Sequence, residues 1–90
     1  MPLSRNFKLI LAYDGAEFRG WQIQAEARTV QGTLEDALGK ILGGPHRVIA
    51  AGRTDAGVHA LGQVVNVRTA AAIPAPALNR ALNGCLPKDI

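Results

Sequence analysis

The spacing of hydrophobic positions changes several times along this 90-residue chain, and each change marks an element. Phe7, Leu9, Leu11 and Tyr13 alternate with Lys8, Ile10 and Ala12, which predicts a strand with one mostly apolar face. Asp14-Gly15 ends it. Residues 15–28 form a polar connection interrupted by Phe18, Trp21 and Ile23. From Thr29 the period lengthens: Val30, Leu34, Ala37, Leu38 and Ile41 share one helical face, and Thr29 stands where an N-cap is wanted. Gly43-Gly44-Pro45 stops that helix. Gly39 inside it costs about 1 kcal/mol relative to alanine, so the packed face must compensate.

Arg47 to Ala51 reads as a second strand and Gln63 to Thr69 as a third, with a short charged loop between them. Pro74 and Pro76 suit the first turn of a second helix, where a missing amide costs nothing. Leu78, Ala81, Leu82 and Cys85 make its apolar stripe, and Pro87 ends it. The order β-α-β-β-α predicts an α+β fold: a ferredoxin-like unit with an antiparallel sheet whose final strand is missing or truncated. Lys88-Asp89-Ile90 falls where that strand would begin. An unpaired sheet edge invites association or instability. Residues 1–90 are therefore expected to be the first domain of a longer protein, or to have their sheet completed by a partner chain.

Composition adds bounds. Hydrophobic residues make up 48% of the chain but aromatics only 4%, so the core must be largely aliphatic. The net charge is +3 and the pI about 9.6. Seven of the ten cations are arginines, whose planar fork suits phosphate. They are scattered, so composition permits a nucleic-acid partner without requiring one. One cysteine, Cys85, excludes an internal disulfide, and its place in the apolar stripe predicts a buried side chain. No stretch has the character of a signal peptide or the length of a membrane span, so a cytoplasmic location is expected. His46, His59 and the distant Cys85 do not make a metal set, and no phosphate-cradling or dinucleotide fingerprint is present.

The chemistry-bearing segment is Gly52-Arg53-Thr54-Asp55-Ala56-Gly57-Val58-His59-Ala60, a carboxylate in a glycine-bracketed loop two residues after an arginine. Composition alone reads it as a solvated turn. Its order of residues resembles the active-site loop of the tRNA pseudouridine synthase A family. Tyr13-Asp14-Gly15, Phe18-Arg19-Gly20-Trp21-Gln22 and Thr29-Val30-Gln31 are similar to that family's amino-terminal blocks, and Leu86-Pro87-Lys88-Asp89-Ile90 to the stretch that closes its first domain.

The resemblance implies the amino-terminal, aspartate-bearing domain of a two-domain, cofactor-free homodimeric isomerase. Its substrate would be uridine in the anticodon stem-loop of tRNA. It implies that Asp55 is the catalytic carboxylate and that Arg53 contacts RNA and helps hold the target nucleotide out of its stack. An ionised carboxylate can attack sugar or base, stabilise charge at the sugar, or take a proton. Thr54, Arg19 and Trp21 are weaker candidates for RNA contact. Thr54 suits a loop tie, Arg19 solvent, and Trp21 either base stacking or the lid of an aromatic-poor core, the core coming first. Arg53 could instead pair with Asp55, and His59 is expected to be structural. The family's active-site tyrosine belongs to its later domain, and Tyr13 does not match that motif. The rival reading is a non-catalytic ferredoxin-like module that binds RNA or protein.

Overall fold

The computed structural model of the protein describes residues 5–90. The elements are β1 (Arg5–Tyr13), α1 (Val30–Leu42), β2 (Val48–Ala50), β3 (Ala60–Thr69) and α2 (Ala75–Cys85), with one 3₁₀ turn at Gly15–Glu17. The sheet is antiparallel in the order β1-β3-β2, which is the expected α+β arrangement, compatible with a ferredoxin-like unit.

Strand alternation decides what is buried. In β1, Phe7, Leu11 and Tyr13 turn inward and Leu9 packs beside them, while Ile10 is 67% exposed on the opposite face. Val65 and Val67 of β3 and Val48 of β2 complete that floor, and both helices lie on it. From α1 come Val30, Leu34, Ala37 and Leu38, as the helical period predicts; from α2 come Leu78 and Leu82. Phe18 and Trp21, from the long connection, also reach the core.

The helix ends differ in quality. Thr29 caps α1, its side-chain oxygen accepting the Gly32 N–H at 3.2 Å. Gly43 closes α1 at φ +79°, a conformation that favours glycine. α2 starts at Pro74 with no side-chain cap. The two sheet edges differ as well. On β2, Val48 N–H donates to Glu35 Oε2 at 3.0 Å and Val48 O accepts from Gln31 Nε2 at 3.4 Å, so α1 side chains shield that edge. On β1 the outer edge has no strand partner among the described residues. A groove of about 460 Å³ runs there against α2, lined by Leu9, Leu11, Leu78, Leu82 and Ile90 among others.

Three sequence expectations need correction. β2 is shorter than Arg47 to Ala51, and β3 begins at Ala60 rather than Gln63, pairing with Tyr13 beyond an irregularity in β1. Cys85 is exposed, not buried. The core side of α2 continues at a spacing of four through Leu78, Leu82 and the partly buried Leu86, which leaves Cys85 on the outside at the last turn.

Candidate active site

Two loops meet at one end of the sheet: the connection after β1 and the segment between β2 and β3. They are joined mainly by backbone. Trp21 N–H donates to Thr54 O at 3.0 Å, and Gly57 N–H to Phe18 O at 3.1 Å. Gly15 N–H donates to His59 Nδ1 at 2.9 Å. The loops approach too closely for side chains at two places. A Cβ on Gly15 would lie 1.8 Å from Val58 O, and one on Gly20, which has φ +87°, 2.8 Å from Thr54 O. Glycine at these positions is therefore what lets the loops interlock.

His59 fills the structural role expected of it. Its Nδ1 also lies 3.1 Å from Asp14 Oδ1, but one nitrogen cannot both accept from Gly15 and donate to Asp14. The Gly15 bond is the shorter, and both side chains of the Asp14 contact are well exposed, so that contact adds little to the tie. His46 is likewise structural, joining Gly44 O and Thr69 Oγ1 at 2.9 Å each. No group of three metal-ligating side chains occurs among the described residues.

A second tie comes from the end of the chain. Arg28 stacks over Phe18 at 4.0 Å and donates to both oxygens of Asp89, at 2.8 and 3.0 Å, while Asp89 O accepts the Asp14 N–H at 2.8 Å. The Arg28 hydrogen bonds hold the Asp89 carboxyl below its ordinary range, against a smaller opposing effect of burial. The same bonds raise Arg28 above its own usual value.

Within this frame the contrast between two aspartates is informative. Asp14 behaves as a turn residue, its Oδ1 accepting from Ala16 N–H at 3.0 Å. Asp55 is exposed, and its carboxylate has no hydrogen-bond or ion-pair partner among the described residues. It lines a groove of about 370 Å³ with Arg19, Gly20, Trp21, Gln22, Gln24, Arg53, Thr54 and Ala56. A free carboxylate thus shares an open groove with two guanidinium-bearing residues, an arrangement suited to an anionic substrate that needs a base or nucleophile.

The other candidates are placed as follows. Arg53 does not pair with Asp55; its Nη1 donates to Gln22 Oε1 at 3.0 Å. Arg19 is exposed, its backbone N–H held by Arg28 O at 2.7 Å. Thr54 is half-buried, its Oγ1 2.6 Å from the Tyr13 hydroxyl. Trp21 is 3% exposed and belongs to the core, the first of its two roles; an indole so covered offers no free face to a base. Sequence reasoning missed Gln22 as the holder of Arg53. A lone glutamine 31 positions away carries no local signal of that contact.

The fold and the groove together define an α+β domain that presents one free aspartate between arginines. The sequence model of a family described as tRNA pseudouridine synthase matches residues 9–90. Proteins named tRNA pseudouridine synthase A are similar to it throughout. That of Caldicellulosiruptor saccharolyticus is 49% identical over 96% of this chain and 35% of its own length. That of Latilactobacillus sakei is 47% identical over 98% and 36%, and that of Acetivibrio thermocellus 51% over 96% and 35%. The chain belongs to the tRNA pseudouridine synthase family. It spans about a third of the length of these curated relatives.

Proposed function

We propose that this chain is the amino-terminal, aspartate-bearing domain of a cytoplasmic, homodimeric enzyme that isomerises uridine to pseudouridine in the anticodon stem-loop of tRNA. The observation that carries the reading is the unpartnered Asp55 carboxylate at the groove it shares with Arg53 and Arg19, in a chain of this family.

The reaction breaks the bond between ribose C1′ and uracil N1, turns the base, and joins C1′ to C5; C5 loses a proton and N1 gains one, so the product is an isomer. Asp55 serves as nucleophile towards sugar or base, or as the base that accepts a proton. The target nucleotide must leave its stack, at a cost of a few kcal/mol. Arg53 offsets that cost by meeting phosphate or by occupying the vacated space, and Gln22 holds its guanidinium ready. Arg19, on the same groove, supplies a second phosphate contact. Binding of this kind is salt-dependent and reads RNA mostly by shape.

In the full-length protein, Asp55→Ala is expected to lower the rate of tritium release from C5 of labelled uridine in tRNA by about a thousandfold or more, with tRNA still bound. Isomerisation at the normal rate by that variant would reject the assignment. The isolated 90 residues are expected to show little turnover, because catalysis depends on preorganised surroundings that the family draws partly from its later domain.

A further inference from the structure

Tyr13 is 5% exposed, with its ring set edge-on to Phe18 at 6.4 Å. Phenylalanine would fill the same space. What tyrosine adds is a hydroxyl, and that hydroxyl makes a 2.6 Å hydrogen bond to Thr54 Oγ1 across 41 positions of sequence. A phenol carried into a core needs such a partner. Here the partner lies between the two charged residues of the loop.

Successive side chains of an extended stretch point to opposite sides. Arg53 and Thr54 lie outside helix and turn, and Asp55 opens a turn, its O accepting the Val58 N–H at 3.2 Å; all three line the groove, but the Thr54 hydroxyl is the one turned to Tyr13. The backbone agrees with the side chain. Thr54 O accepts the Trp21 N–H at 3.0 Å, where only the missing Cβ of Gly20 permits the approach. Thr54 is thus held by its oxygen atoms on both main chain and side chain, while the Asp55 carboxylate beside it has no partner among the described residues and Arg53 is held by Gln22 alone.

We propose that the Tyr13 hydroxyl is a positioning group for Asp55: acting through Thr54, it fixes which side of the loop faces the groove. It does not touch substrate. The inference rests on the catalytic reading of Asp55 given above. Removing the hydroxyl frees Thr54 to turn, and a misplacement of about 1 Å at the reacting carboxylate costs about 100-fold in rate.

The test uses the full-length protein with Tyr13→Phe, Thr54→Val, Thr54→Ser and the double variant Tyr13→Phe/Thr54→Val. Tritium release gives kcat and KM for tRNA, and thermal unfolding gives stability. Tyr13→Phe and Thr54→Val are each expected to lower kcat about 10- to 100-fold with KM changed less than about twofold. Thr54→Ser keeps the hydroxyl and should lose far less than Thr54→Val. The double variant should be no worse than the poorer single one, because both remove the same bond. A Tyr13→Phe enzyme within about twofold of the wild-type kcat would overturn the proposal. So would additive losses, or a loss that follows the melting temperature or appears in KM instead. Asp55→Ala is the control: if it still isomerises uridine, the catalytic reading itself fails. An inactive Asp55→Ala beside a fully active Tyr13→Phe rejects only the present inference.

Discussion

The loop end of the sheet and the flank formed by β1 and α2 come from one short chain but are held by different means. At the loop end, backbone groups of two distant segments bond one another, two glycines permit the approach, and an arginine–aspartate pair ties down the segment after α2. At the flank, α2 has no side-chain cap, contributes two buried residues, Leu78 and Leu82, and faces a strand edge without a partner among the described residues. Directional hydrogen bonds fix where the groove residues stand. At the flank, apolar packing sets α2 on the sheet, with one bond from Arg5 Nη1 to Ile73 O at 2.6 Å anchoring its entry. A carboxylate that must meet one atom of a nucleotide needs the first kind of restraint, because packing tolerates small displacements that catalysis does not.

Substituting glycines separates the two regions most sharply. Gly15→Ala puts a methyl group against the Val58 carbonyl, so the loops must part; a loss of about 2–4 kcal/mol in urea unfolding is expected. Gly84→Ala, in α2 with nothing within 4 Å of the added atom, should instead stabilise the protein by about 0.5–1 kcal/mol. If both variants lost stability equally, the distinction between an interlocked end and a loosely specified flank would not hold.

The smallest effect concerns the tie between Arg28 and Asp89. The folded state lowers the Asp89 pKa, so its contribution is complete above the unfolded value of about 3.9 and disappears as pH falls through the lower folded value. Asp89→Asn should therefore melt slightly below wild type at neutral pH, and the two curves should converge in the acid range. Arg28 is raised, so its contribution is present at every pH below its ordinary value and changes only under strong alkali. A gap that persisted unchanged into strong acid would show that the pair contributes nothing electrostatic.

Much of α1 is legible in the sequence alone. Thr29 as cap, the stripe from Val30 through Leu38 and the stop at Gly43 all came from residues within a few positions of one another. The Asp55 loop was legible as a segment because its order of residues is distinctive. What could not be read were contacts between remote positions: Gln22 with Arg53, Tyr13 with Thr54, and Gly15 with His59, separated by 31, 41 and 44 residues. The early start of β3 leaves no sequence signal because Leu61, 93% exposed, and Gly62 do not continue the apolar alternation.

Residue order alone specifies which elements form and in what order, a largely aliphatic core, and which loop carries the carboxylate. Those properties follow from short-range periodicity, caps and motif order. The three-dimensional arrangement was needed to show that the Asp55 carboxylate stands unpaired among the described residues and that Arg53 turns to Gln22 instead of to Asp55. These outcomes depend on which distant backbone groups meet, and hydrogen bonding between segments far apart in sequence leaves no trace in the local pattern of residues.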